Sequence, residues 1–503
     1  MQGMTVRGKV RQIGRFATLC GVAAALAACA TTAGVGNATV ERNLRSHVET
    51  LASDEFGGRL PGTKGEDLSV AYQVDALKAY GFEPGYIGEW TQPVALDKTV
   101  VSAPRLTFAG DGGTVVAADD LYVLSASADG EGKRLELIAF ASDFDGEFGD
   151  LSGKAVVFED LQPGAALFGP LMEANPAAVL IPVRDEARLG RVAGSVGSGR
   201  WRLASEVDSG PSLFYLGPDA LAQLETGMGT TFAKLAPRLR KNSGRLDIAT
   251  AISYGVARDV KQITSANVLG RLAGTRPGSG AVILLAHWDH LGDQCGSEGD
   301  ADRICNGAVD NASGVAAMLE VARIMAAGKR TERDLYIMGN TAEEMGLLGA
   351  QAFVNNPPVP LDYFVAGFSL DTLAIGSRDA PVTIIGYGLT PLDAGIEEVA
   401  AKLGRKVDVR EEDQQFARRH DGWALTAAGI PAPLVSSSFG DRGALESFLS
   451  DRYHSASDEY DETVDFGGVT RDVALYVELV RHFGDTAKYA PPVEPQTEGA
   501  PAE

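Results

Sequence analysis

Three short apolar runs in the second half of the chain, each leading to residues able to bind a cation, constrain the fold more than any other feature. Residues 281–286 (Ala-Val-Ile-Leu-Leu-Ala) have the length of a buried strand and end in His287-Trp288-Asp289-His290. Residues 335–338 (Leu-Tyr-Ile-Met) lead into Glu343-Glu344, and residues 364–370 lead into Asp371. Continuous apolar runs of this length suit strands covered on both faces. Between the first two, Val315, Met318, Leu319, Ala322 and Met325 recur at helical spacing, and Gly328 supplies a stop. Strand and helix alternate from residue 265 onward, which predicts an α/β fold: a mixed, mostly parallel sheet sandwiched by helices. Open sheets of this kind place ligands at the carboxyl ends of their strands.

Taken singly, each polar group has two readings. Asp289 lies two residues beyond His287, on the same side of an extended chain. Its carboxylate can orient a metal-ligating imidazole, but a surface turn has the same pattern. Asp310, in Asn-Gly-Ala-Val-Asp-Asn-Ala-Ser-Gly (306–314), is either a helix N-cap or a carboxylate aimed at a metal. Glu343 and Glu344 suggest one ligand and one proton carrier, or a charged loop. His454 sits in an irregular polar stretch before the last helix. Together, two histidines and three carboxylates suit zinc, which accepts mixed nitrogen and oxygen donors. Two Zn²⁺ ions set against Asp310, Glu344, Asp371 and a bridging hydroxide form a nearly neutral cluster that can persist partly buried.

The rest of the chain is chemically quieter. Arg7, Lys9, Arg11 and Arg15 precede an apolar stretch at 16–28 that is too short for a stable bilayer span. Leu-Ala-Ala-Cys29 resembles a bacterial lipobox, so export with a lipid anchor at Cys29 is expected, to the periplasm or outer membrane; secretion after ordinary cleavage is the alternative. Cys295 and Cys305, ten apart in a Gly/Asp-rich loop, read as a local disulfide staple in such a compartment. Helices are expected over 40–52 and 66–80, with Gly81 as a stop. Short β-like runs fall at 121–124, 134–140, 154–158, 178–183 and 211–216, in a stretch without His or Cys. Lys+Arg 45 against Asp+Glu 67 gives a net charge of −22, which speaks against a nucleic-acid partner.

The quoted segments resemble metallopeptidase family 28, the co-catalytic di-zinc aminopeptidases with the glutamate carboxypeptidases beside them. The similarity lies in His-Trp-Asp-His-Leu-Gly (287–292), the 306–314 segment, Ala-Glu-Glu-Met-Gly-Leu-Leu-Gly-Ala (342–350), Leu-Asp (370–371) and Tyr-His-Ser-Ala-Ser-Asp (453–458). A weaker similarity covers 51–63, including Gly58-Arg59. The resemblance implies a zinc exopeptidase fold acting on peptide substrates. It implies two zinc ions per chain, one held by His287 and Asp371 and the other by Glu344 and His454, with Asp310 bridging. Asp289 would orient His287. Glu343 would be the general base for a metal-bridging hydroxide.

The middle of the chain is similar to the protease-associated domain that many members carry. The expected organisation is therefore a signal peptide 1–28, a tether 29–38, a peptidase domain in two parts (39–105 and 256–486), an inserted β-rich module at 106–255 and a disordered tail at 487–503. Two positions depart from the family pattern. Thr372 stands where a larger apolar residue is common, and His420-Asp421-Gly422 stands where Ser-Asp-His is common. His420 is thus either a substrate contact or a surface residue. An aminopeptidase is the leading expectation; the alternatives are a carboxypeptidase or dipeptidase on the same metals, a glutaminyl cyclase with one zinc, and an inactive scaffold.

Overall fold

The computed structural model describes residues 37–126, 131–161, 167–206, 210–296 and 299–491. The expected signal peptide and Cys29 lie outside the described residues, as does the tail beyond residue 491. The chain divides into two compact units, Met1–Pro93 with Ala266–Glu503, and Val94–Ser265.

The first unit opens with helices α1 (37–51) and α2 (Lys64–Tyr80). Helix α2 ends where Gly81 takes a left-handed conformation (φ 85°), as its position in the sequence predicts. The unit's sheet is built from β1 (the end of Arg245–Leu272), β2 (Ala281–His287), β3 (Asp334–Asn340), β4 (Phe364–Ser369), β5 (Thr383–Ile385) and β6 (Leu434–Ser436). Their spatial order is β5-β6-β4-β2-β3-β1. The four central strands run parallel, β1 and β5 pair antiparallel on either side of them, and Glu83–Pro84 pairs antiparallel with β1. This is the mixed, mostly parallel sheet that the apolar runs predict.

Side chains of β2 alternate between two cores. Val282, Leu284 and Ala286 join the face covered by α2, α3 (Ser313–Ala327) and a later helix, Phe466–Phe483. Ile283 and Leu285 join the opposite face with α4 (Leu348–Asn355) and α5 (Gly422–Ala427). Burying each large aliphatic side chain contributes roughly 1.5–3 kcal/mol, so the strand that carries His287 is held firmly from both sides. A further helix, α6 (Arg442–Asp451), precedes the irregular stretch that carries His454. The start of the expected tail is docked rather than loose: the Tyr489 ring lies 4.8 Å from that of Phe483, and the Tyr489 carbonyl accepts from Arg333. Aromatic packing thus extends order to a residue that composition alone assigns to the tail.

The second unit, Val94–Ser265, is wider than the 106–255 expected, because its boundaries fall within the strands Thr91–Gly110 and Arg245–Leu272. Strands Leu135–Phe140, Lys154–Phe158, Ala178–Pro182 and Ser212–Leu216 run parallel, with Leu121–Ser125 antiparallel at one edge. All five follow the short runs read from the sequence. The unit is not simply β-rich, however: helices Phe168–Glu173, Glu186–Ser198, Pro218–Met228 and Phe232–Lys241 accompany the strands. Pro218 at a helix start and Gly229 at its end were signals for one of them. Glu186–Ser198 contains three glycines and two serines, which weakens its helical signature.

Candidate metal centre

The parallel register pairs His287 of β2 with Asn340 of β3. Both strands stop at one level, and the turns after them deliver His287–His290 and Glu343–Glu344 to the same edge. Asp371 follows β4, whose Ser369 pairs with Leu285 of β2. Left-handed backbone at non-glycine residues marks these turns: Ala342 (φ 52°) precedes Glu343, Thr372 (φ 56°) follows Asp371, and His454 itself has φ 55°. Such conformations cost about 1–3 kcal/mol each and persist where surrounding structure enforces them.

Asp310 lies just before α3, and its two readings are now separable. The cap role belongs to Asn311, whose Oδ1 accepts from the N–H groups of Gly314 (2.9 Å) and Thr372 (3.2 Å) while its amide donates to the Leu370 carbonyl. The Asp310 main-chain N–H donates to Asp458 (3.0 Å). The Asp310 carboxylate is left to face the histidines. Its Oδ1 lies 3.4 Å from His287 Nε2, and its Oδ2 lies 3.5 Å from His454 Nε2. Asp371 Oδ1 is 3.5 Å from His287 Nε2, and Glu344 Oε2 is 3.0 Å from His454 Nε2. Donors about 2.0–2.1 Å from a tetrahedral zinc ion stand roughly 3.3 Å apart, so these spacings fit two such ions. Glu343 Oε2 approaches His287 Nε2 at 4.0 Å.

The electrostatics agree with a cation-binding purpose. Burial alone would depress His287, but Glu343, Asp310 and Asp371 override it and hold the imidazole well above its usual range. His454 is likewise pushed up to about 10, burial being outweighed by Asp310 and Glu344. Burial works to raise Glu344, and Asp310 adds to it, yet His290 and His454 bring it down to about 2. Glu343 is raised well above the carboxylate range, first by burial and then by Asp421, Glu344 and Asp371, against His287. A divalent cation relieves this crowding of carboxylates directly.

All seven residues singled out in the sequence meet at this centre, with one difference in detail. The Asp289 carboxylate is 3.9 Å from His287 Nδ1, beyond hydrogen-bond reach, and the ring nitrogen instead contacts the Asp289 carbonyl at 3.1 Å. The carboxylate Oδ1 accepts from the Glu343 N–H (3.1 Å). Asp289 thus ties the turn that bears the two glutamates to the turn that bears His287.

Sequence reasoning left four contributors unassigned. His290, fully buried, contacts Glu344 Oε1 through Nδ1 at 2.5 Å and so orients that carboxylate. Asp458 clamps the backbone of Val309 and Asp310. Thr372 donates its hydroxyl to Asp371 Oδ1 (2.9 Å). Arg59, 1% exposed, donates to the carbonyls of Leu51, Trp288, Asn306 and Gly307. Gly58 before it (φ 68°) leaves no space for a Cβ, which would sit 2.4 Å from the Gly292 carbonyl oxygen. His290 and Asp458 sit inside the quoted motifs, and Arg59 in the weaker N-terminal one. The expected disulfide is present between Cys295 and Cys305, in the loop between His290 and Asp310.

A pocket opens beside Asp371. Phe416, Leu434, Phe439, Leu445 and Leu449 make its apolar wall, and Thr372 and His420 also line it. His420 is not a surface residue; it is 3% exposed.

The chain thus combines a mixed α/β sheet with potential donors gathered beyond its strand ends. An aminopeptidase from Aneurinibacillus sp. strain AM-1 shares that fold at a TM-score of 0.53 and 19% identity, over 88% of this chain and 93% of that one. Residues 267–476 match the peptidase family M28 model. The probable lipoprotein aminopeptidase LpqL of Mycobacterium tuberculosis is 24% identical over 462 residues, 86% of this chain and 83% of that protein. A vacuolar membrane protease of Candida dubliniensis is 33% identical over 98 residues, 20% of this chain. The matched stretch spans only 9% of that protease's length.

Proposed function

We propose that the protein is an exported zinc-dependent exopeptidase, an aminopeptidase that removes N-terminal residues from peptides. The observation that carries this reading is the division of one carboxylate between two donor pairs, Asp310 Oδ1 beside His287 and Oδ2 beside His454. In this reading His287 and Asp371 would hold one zinc ion and Glu344 and His454 a second, with Asp310 available to both. Zinc at such a site acidifies water and polarises the scissile carbonyl. Glu343 takes the proton of the attacking water and returns it to the leaving amine. Asp289 holds the Glu343 main chain in place.

Cleavage at the amino end is favoured over the carboxyl end by the pocket. Arg419, at its edge, donates to the Tyr453 hydroxyl (3.3 Å) and stacks over Phe416 (5.3 Å). A site that reads a terminal carboxylate pairs it with a bidentate arginine, whereas the wall of this pocket is largely apolar. Export is supported by the basic and apolar start, by the Cys295–Cys305 disulfide and by the name of the mycobacterial relative. No helix among the described residues is long and apolar enough to cross a membrane. The lipobox-like Leu-Ala-Ala-Cys29 makes a lipid at Cys29 the proposed attachment.

The test is hydrolysis of leucyl-p-nitroanilide by the purified protein. Activity that is lost to a chelator and restored by zinc supports the reading. Release of C-terminal residues from amino-blocked dipeptides, with no anilide cleavage, would replace it by a carboxypeptidase.

A further inference from the structure

Both departures from the family pattern, Thr372 and His420, line the pocket beside Asp371. His420 is 3% exposed, and neither ring nitrogen has a partner among the described residues. Buried polar atoms are rarely left unpaired, so an imidazole in this position calls for a partner that enters the pocket. The ring packs closely against Gly422, where a Cβ would lie 2.8 Å from His420 Cε1. Burial, opposed only weakly by Asp371, brings His420 down to about 4. The ring is therefore neutral near pH 7 and offers one donor and one acceptor. Around it the wall is apolar, and the one arginine at the edge is engaged by Tyr453 and Phe416. A charged side chain entering such a pocket loses its hydration against a largely apolar wall, with Asp371 assigned to a metal and Arg419 bonded to Tyr453. A long apolar side chain with an uncharged polar end fits both the wall and the imidazole.

We propose that this pocket receives the side chain of the substrate's N-terminal residue, and that His420 selects those ending in an uncharged hydrogen-bonding group, tyrosine above phenylalanine. The inference rests on the aminopeptidase reading, because only there does a side chain beside Asp371 belong to the residue being released. His420 is a specificity-determining residue in this account. Tyrosine and phenylalanine differ by the hydroxyl alone, so their ratio isolates the proposed contact from pocket size.

The experiment measures kcat/KM for the p-nitroanilides of tyrosine, phenylalanine and leucine with the zinc-loaded full chain. It is repeated with His420→Leu and His420→Gln. The tyrosine-to-phenylalanine ratio is expected to be about 10 in the natural protein, the scale of one buried neutral hydrogen bond. It should fall to about 1 in His420→Leu, and His420→Gln, which keeps a donor and an acceptor, should retain part of it. A ratio near one in the natural protein, or one unmoved by His420→Leu, overturns the proposal. If His420→Leu does not fold, the natural ratio and the His420→Gln variant still decide the matter. Cleavage of leucine and phenylalanine substrates without gain for tyrosine sinks this inference alone. Cleavage of none of the three sinks the aminopeptidase reading, and this inference with it.

Discussion

His287 and His454 face each other across a single carboxylate, their Nε2 atoms 3.4 Å and 3.5 Å from the two oxygens of Asp310. One comes from the end of a central strand and the other from an irregular stretch late in the chain, so the shared carboxylate is where the two halves of the centre join. Asp310→Ala is expected to lose both ions and, with them, the stability that binding supplies. Metal content and the thermal midpoint, measured on the same preparation, should fall together. Retention of full zinc in this variant would assign the bridge elsewhere.

Glu343 stands beside the donors without completing either pair. Glu343→Gln should keep its metal and lose kcat by roughly 10²–10⁴-fold, the usual contribution of a positioned base. Zinc analysis alongside steady-state kinetics separates the two effects. Near-normal turnover in the variant would remove Glu343 from the proton path.

Arg59 holds four backbone carbonyls, from the N-terminal segment and the loops that carry His287 and Asp310. Arg59→Met leaves these acceptors buried and unpaired, and should cost about 3–5 kcal/mol in urea unfolding. Arg59→Lys should recover little, because one ammonium cannot reproduce the planar fork. A loss below about 1 kcal/mol would mean that the carbonyls find other partners.

Acid sensitivity has an assignable source in His420. Its folded value, lowered to about 4 by burial, lies below the usual 6.5. The unfolded chain therefore binds a proton in a range where the folded chain does not. The stability tied to neutral His420 is present above pH 6.5 and is lost as the pH falls toward 4. Its size is at most about 3 kcal/mol. Unfolding free energies of the natural protein and His420→Gln, compared from pH 7 to 4, should converge on acidification. Parallel curves would show that His420 exchanges no proton on folding.

Much of this architecture is legible before folding, for a physical reason. Strands buried on both faces must be apolar throughout, so 281–286, 335–338 and 364–370 announce themselves and place their terminal residues at one edge. The helix at Ser313–Ala327 is equally plain from its spacing and Gly328. Residues that work through backbone atoms are harder to find. Nothing in the identity of Arg59 says that it will donate to four carbonyls, and nothing in Asn311 says that it, not Asp310, will cap the helix. His420 shows a different limit: a histidine among Arg418, Arg419 and Asp421 reads as surface, and only the packing around it reveals a buried ring beside a pocket. The helix at Glu186–Ser198 was hidden by small residues that weaken helical periodicity.

The central claim is that the five donors hold two cations around Asp310. Plasma emission analysis of the protein, purified without chelator and equilibrated with zinc, tests it most directly. The account predicts close to two zinc ions per chain, falling toward zero in Asp310→Ala. One ion per chain that survives the loss of either His287 or His454, or no zinc at all, would contradict it.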